Sequence, residues 1–386
     1  MYFNHTTLLT PGPTPVTAQI QAEMNLPMVG HRSSDFEMIA KEAFQALKVV
    51  FGSQHDVMIL SSSGTSALEA SMVNLLEAED HIVVIVSGAF GNRFKQIAQT
   101  YYSNVHVFDV TWGEAFDTKA VIDFIKNINH RIKAVFTQFC ETSTAVLHPV
   151  AELGVALKQL DDALFYVVDG VSCIGAVDVD MQRDAIDVLV SGSQKAMGLP
   201  PGIAFVAYNE RALRAFQQNK TPKFYLDLSK HYESLKASST PYTPNITAFR
   251  GVNAYMRNVN ELGLKNVIQQ HYQLRDAVRS ALKALELDLL VNDAVASPTV
   301  TAFIPKNKEE LQTIKNELKA QFNITIAGGQ GYLKGQILRV GHMADVSPFT
   351  LLSFIAALEL ILTKHRQTSL VGKGTTAFME VLKDVI

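Results

Sequence analysis

Over its first 210 residues the chain repeats one pattern: a short unbroken apolar run, a stretch of helical periodicity, then another apolar run. That alternation constrains the fold more than any other feature. Unbroken Val/Ile/Leu/Phe runs mark strands with both faces covered, and interleaved helices supply the covers. The runs at 57–60, 82–86, 105–109, 134–138, 164–168, 187–190 and 203–208 predict strands. Helices are expected at 65–77, 94–101, 119–127 and 150–160. The fold class is therefore α/β.

Beyond Tyr208 the character changes. Residues 209–250 read as polar and irregular, a long helical region spans about 253–285, and a smaller α+β pattern follows. Its strands are expected at 299–304 and 337–341, its helices at 309–321 and 348–363. With 386 residues the chain exceeds one simple core. We expect an N-terminal arm over 1–14, a large domain over 15–260 and a small domain over 261–386. The arm follows from Pro11-Gly12-Pro13-Thr14-Pro15, which suits neither a helix interior nor a central strand.

Several function classes find no support. The net charge is -3 with no Lys/Arg block, so neither nucleic acid nor an anionic membrane is an expected partner. Residues 1–5 carry no secretory signal pattern, and the most apolar stretch, 351–363, reads as a core helix too short to span a bilayer. Cys140 and Cys173 have neither disulfide-framework nor metal-type spacing. No metal is expected, and a cytoplasmic location is the default.

Four local patterns carry chemistry. Ser63, Gly64 and Thr65 open a helix directly after a strand, where free N–H groups and the dipole favour an anion. The plainer reading is an ordinary N-cap. Asp169 ends a buried apolar strand, at the sheet edge where α/β folds bind ligands; it could pair with a protonated ring nitrogen or merely cap a turn. Lys195 lies 26 residues on, in Ser191-Gly192-Ser193-Gln194-Lys195-Ala196 between two buried strands. Desolvation there would make its amine a nucleophile, although most lysines are only solvated surface groups. Arg339 stands within the apolar run Ile337-Leu338-Arg339-Val340, where a guanidinium fork could hold a carboxylate or simply snorkel from an edge strand. The stretch Gly372-Lys373-Gly374-Thr375 lacks the leading glycine of a phosphate loop and reads as a tail loop.

Taken in order, these patterns resemble the class V aminotransferases of pyridoxal-phosphate (PLP) fold type I, and most of all the alanine–glyoxylate/serine–pyruvate group. The resemblance runs from Leu9 to about Thr363 and is carried by Leu9-Thr10-Pro11-Gly12-Pro13, Ser63-Gly64-Thr65-Ser66-Ala67, Val168-Asp169-Gly170-Val171-Ser172, the Lys195 segment and Leu338-Arg339-Val340-Gly341. It implies a mostly parallel seven-stranded sheet between helices, with a smaller α+β C-terminal domain. It implies that Lys195 holds PLP as a Schiff base and shuttles a proton, and that Asp169 pairs with the ring nitrogen. Val171 and Phe90 would pack on the ring. Ser63, Gly64, Thr65 and Gln194 would bind the phosphate, and Thr142 would contact the cofactor. Thr240 and Thr243 would reach the phosphate of a neighbouring subunit, which implies a homodimer with shared sites. Arg339 would hold the substrate carboxylate, and Gly12 would close over it.

The implied reaction moves an amino group from a small amino acid, alanine or serine, to a small 2-oxo acid, glyoxylate or pyruvate. Two alternatives stay open. One is a transaminase for a phosphonate or other specialised amine, with Arg32 or Arg250 meeting a second anion. The other is a non-catalytic PLP-fold subunit of a larger complex. A desulfurase is disfavoured because no cysteine follows Cys173.

Overall fold

The computed structural model describes residues 6–384, so the residues read for a leader, 1–5, lie outside it. Its main sheet has seven strands: β1 Met58–Leu60, β2 His81–Val86, β3 Val105–Asp109, β4 Ile132–Gln138, β5 Phe165–Asp169, β6 Val188–Gly192 and β7 Ala204–Tyr208. Their order is β1-β7-β6-β5-β4-β2-β3. Only β7 runs against its neighbours, β6 and β1. That exception has a consequence. Parallel strands need long crossovers, whereas antiparallel ones accept a short connection. The β6–β7 connection is short, and it carries Lys195 at the carboxyl edge of the sheet.

Helices α1 Gly64–Leu75, α2 Ala89–Tyr101, α3 Thr118–Lys126 and α4 Val150–Leu160 join the strands. Both sheet faces are covered, and β5, β6 and β7 are buried at every position. Because β1 opposes β7 and β7 opposes β6, β1 points the same way as β2 to β6. The turns after β1, β2, β4, β5 and β6 therefore gather on one edge.

Helix α2 starts at Ala89, five residues before the expected 94. Its N-cap, Gly88, has no side chain, and the capping groups come from the distant turn after β4. Local reading could not see them. The expected helix over 253–285 is two helices, α5 Ile246–Leu262 and α6 Leu264–Ala284, broken at Gly263 with φ +81°. The span expected to be irregular contains Glu210–Gln218 and Leu228–Lys236, each short helix capped by an Asn or Asp side chain.

One apolar cluster surrounds the main sheet and includes residues from Ile20 to Val259. A second joins α6, α7 Lys308–Phe322, α8 Pro348–Arg366 and α9 Lys373–Leu382. Its sheet, ordered β8-β9-β11-β10, comprises β8 Asp288–Leu289, β9 Val300–Ile304, β10 Ala327–Gly328 and β11 Leu338–Gly341, all antiparallel. Helix α8 is in fact 19 residues long, and by length and composition it could cross a membrane, which corrects the expectation of too short a span. Here it packs Leu351, Phe354, Leu358 and Leu362 into the second cluster. The tail is not a loop at 372–375. Glu359 of α8 accepts from Gly372 N (3.0 Å) and from Thr375 N (2.7 Å), which starts α9, and Phe378 and Leu382 bury its inner face.

The arm crosses between these two bodies. Thr7–Leu8 forms a short strand parallel to Ile324–Thr325, and Leu9 O accepts from Gly341 N at 2.7 Å. Beyond the prolines, Thr14 Oγ1 donates to Lys195 O at 3.2 Å.

Candidate active site

Five turns of the main sheet's carboxyl edge meet strand β11 and the arm. The β5 turn contributes Asp169, which is 6% exposed. Its Oδ1 accepts from Val171 N at 2.9 Å, the one hydrogen bond of its side chain among the described residues. Burial pushes this carboxyl up to about 7, with that N–H opposing the rise. Across the β6–β7 turn lies Lys195. Burial, and then the nearby Arg339 charge, bring its ammonium down to about 8. An amine in that range has a far larger neutral, nucleophilic fraction near neutral pH than a solvated lysine. Its Nζ donates to Pro11 O and lies 5.8 Å from the Phe90 ring centroid.

The small residues of the edge allow close approach. A Cβ on Gly64 would lie 2.9 Å from Val171 Cγ2, and one on Gly192 would lie 3.1 Å from Gln194 Oε1. Gly64, Val171, Gly192 and Gln194 thus form one contact group. Gly12, at φ +94°, passes so near Lys195 that any Cβ would collide with its Cδ. Ser63 is the N-cap of α1 without a side-chain cap bond, which leaves the first N–H groups of that helix uncapped with the Ser63 and Thr65 hydroxyls beside them.

Arg339 is 4% exposed and sits between β9 and β10, which removes the edge-strand reading. Its Nε and Nη2 donate to Gly328 O (3.0 and 2.8 Å), and Nη1 donates to Thr142 O (2.8 Å). A guanidinium has five N–H groups, so one remains on each Nη, the pair an end-on carboxylate needs. Burial lowers this group to about 10, and the Glu141 charge opposes the shift. Thr142 is buried, and its hydroxyl shares a hydrogen bond with Ser172.

Thr240 and Thr243 are not brought to this group. Thr240 Oγ1 donates to Tyr242 O at 2.7 Å, and Thr243 is exposed with no side-chain hydrogen bond among the described residues. Arg32 is committed to the same segment: its Nη1 donates to Ser239 Oγ (2.7 Å) and Thr240 O (2.6 Å). Its Nη1 is thus occupied by the Ser239–Thr240 turn. Arg250 has a buried Nη1 without a hydrogen-bond partner among the described residues. Sequence reasoning passed over Glu141, although it stands one residue from Thr142. A carboxylate next to a buried cysteine and a run of hydroxyl residues was the available signal.

The donor set fits PLP at each of its three functional ends. An uncapped helix start with free hydroxyls suits a phosphate dianion. A desolvated amine suits an aldehyde, and a buried carboxylate with acceptor capacity to spare suits a protonated ring nitrogen.

Comparison with known proteins agrees with this geometry. The family model for aminotransferase class V matches residues 10–347. The small subunit of a soluble hydrogenase from a Synechococcus species is 36% identical, over 97% of this chain and 98% of its own. L-aspartate–glyoxylate aminotransferase of Paracoccus denitrificans is 27% identical, over 97% and 95% of the two chains. Among solved structures, ureidoglycine–glyoxylate aminotransferase of Bacillus subtilis superposes with a TM-score of 0.90 at 29% identity, covering 99% of each chain. The chain, with the amine and carboxylate of its main sheet's edge facing a guanidinium of its second sheet, belongs to the class V aminotransferases, enzymes that work with PLP.

Proposed function

We propose that this enzyme transfers the amino group of a small amino acid, alanine or serine, to a small 2-oxo acid, glyoxylate or pyruvate. The convergence of Lys195 and Asp169, on the main sheet's edge, with Arg339 of the second sheet carries the reading. When bound, PLP supplies an aldehyde that bonds amines and a ring that draws electrons from the carbon bearing the amino group. Lys195 Nζ would hold PLP through that aldehyde, and its amine would move the proton at the substrate carbon. Asp169 keeps the ring nitrogen protonated, and its desolvated setting strengthens that pairing. Phe90 and Val171 pack against the ring; Ser63, Gly64, Thr65 and Gln194 hold the phosphate, with Thr142 beside the ring. Arg339 fixes the substrate carboxylate through its two remaining N–H groups, and the arm at Gly12 excludes water above Lys195.

A homodimer completes the site in this reading. Arg32 ties the segment bearing exposed Leu26 and Met28 to the Thr240 turn, whose Tyr242 donates to Phe224 O and stacks on Tyr225, both exposed as well. Such surface favours burial against a partner, and it would carry Thr240 and Thr243 toward the neighbour's phosphate. Free, buried Cys140 and Cys173 suit the reducing cytoplasm. The name of the hydrogenase-subunit relative raises a non-catalytic role as the alternative. The desolvation of Lys195 beside the buried Asp169 and Arg339 charges favours catalysis instead.

A half-reaction screen tests the proposal. Single amino acids are mixed with holoenzyme and the visible absorbance of the cofactor is followed. Alanine or serine should bleach the band and glyoxylate or pyruvate should restore it. Bleaching by dicarboxylic donors alone would overturn the donor class, and inertness to every amino acid would favour the non-catalytic subunit.

A further inference from the structure

The turn after β4 holds a carboxylate that none of the roles above uses. Glu141 is 0% exposed and makes no ion pair among the described residues. Its oxygens accept from Phe90 N (3.3 and 3.1 Å), Gly91 N (2.9 Å), Ser143 N (3.1 Å) and Ser143 Oγ (2.5 Å). Ser143 Oγ in turn accepts from Ala89 N at 2.9 Å. The first three N–H groups of α2 are thus capped by a turn 50 to 54 residues away, and Gly88 leaves the room: any Cβ there would collide with the Glu141 carboxyl carbon. Three of the four donor groups on the carboxylate are backbone N–H groups, which offer no lone pair to a carboxyl proton. A negative charge at a helix N-terminus is also favourable.

Both neighbours of this carboxylate face the site. Phe90, whose N–H it receives, is the ring 5.8 Å from Lys195 Nζ. Thr142, the next residue in its turn, presents the carbonyl that accepts from Arg339 Nη1. We propose that Glu141 is a positioning residue that fixes two walls of the active site at once, the Phe90 ring and, through the Thr142 carbonyl, the Arg339 fork. This rests on the proposed roles of Phe90 and Arg339. Burial raises the Glu141 carboxyl, and the hydrogen bonds from Ser143, Gly91 and Phe90 oppose that rise.

Glu141→Gln keeps the shape but turns an amide N–H₂ toward either the Phe90/Gly91 or the Ser143 donors, so one set of bonds must open. The test uses holoenzyme and propionate, a carboxylate with no amino group to transfer. In Glu141→Gln, propionate affinity should fall about 10-fold, as expected for losing one or two charge-assisted hydrogen bonds. The visible circular dichroism of the bound cofactor should change as Phe90 shifts. KM for amino donor and oxo acid should rise together, more than kcat falls, and Glu141→Asp should restore part of each. A folded Glu141→Gln with wild-type propionate affinity and unchanged visible dichroism overturns the proposal. Should Glu141→Gln fail to fold, Ser143→Ala decides by the same readouts: it removes the hydroxyl's bonds to Glu141 and from Ala89 N, with a shift of about 3- to 10-fold expected and no change refuting it. Arg339→Ala runs alongside. If that variant binds propionate like wild type, the carboxylate site itself is misassigned, and the failure lies with the functional reading, not with Glu141.

Discussion

Two buried aspartates stand at opposite edges of the main sheet and have opposite surroundings. Asp187, just before β6 on the amino edge, receives Asn209 Nδ2 (2.7 Å), Arg211 Nε (3.0 Å), Tyr166 N (2.7 Å) and Arg211 Nη2 (2.5 Å). Asp169, ending β5 on the carboxyl edge, receives Val171 N alone among the described residues. A carboxylate accepts about four hydrogen bonds, so Asp187 is saturated and Asp169 has capacity left. Both are nearly inaccessible, at 2% and 6% exposure. Burial therefore does not distinguish a structural acid from a functional one. Saturation does, because an undersatisfied buried charge costs stability and persists where a ligand completes it.

The largest break in this comparison comes from the group that faces Asp169 across the site. Lys195→Ala should fold, lose the visible band of the bound cofactor and lose transamination by on the order of 10⁴-fold, since it removes both covalent activation and proton transfer. Turnover within 10-fold of wild type would contradict the assignment.

Next come the aspartates themselves, whose amides should separate activity from stability. Asp169→Asn should lower turnover roughly 10²- to 10³-fold, as for removal of one preorganised charge, with melting temperature unchanged or raised. Asp187→Asn should do the reverse, costing about 1–3 kcal/mol of stability by leaving buried donors mismatched, with near-normal activity per folded molecule. Equal effects of the two variants on both readouts would dissolve the distinction.

How far each edge was legible follows from the range of its contacts. Asp169 and Lys195 sit at ends of apolar strands, and their setting is written within a few residues of each. Arg339 was legible as an arginine in an apolar strand, but its fork is aimed by Gly328 and Thr142, the latter almost 200 residues away. The start of α2 was misplaced for the same reason, since Glu141 and Ser143 supply its cap from another turn. The tail helix escaped because Glu359, on a different helix, bonds its first turn. Gly263 was readable in principle; a lone glycine inside a strong helical pattern is usually tolerated, and only its φ shows the break.

Smaller effects sharpen the picture. Arg339→Lys keeps the charge and loses the fork, so KM for amino acid and oxo acid should rise together by about 10- to 100-fold with cofactor content unchanged. If only one substrate is affected, the two carboxylates do not share the site. Acid should then expose interior groups that, like Asp187, are satisfied in the fold. Burial holds His148 and His342 near 3. The unfolded chain binds protons at these histidines below about 6.5 while the folded chain does not, so their stabilisation is full above that value and falls with pH toward 3. Each should cost roughly 2 kcal/mol between pH 6.5 and 5, seen as a falling melting temperature. A flat profile over that window would show the two rings to be protonated in the fold.

The central claim is that Lys195, among all the lysines of the chain, carries the cofactor. Holoenzyme is reduced with borohydride, digested, and its peptides are weighed. The account predicts a phosphopyridoxyl adduct on the peptide containing Lys195 and on no other, lost when an effective amino donor is added before reduction. An adduct on a different lysine, or one that the amino donor leaves untouched, would contradict it.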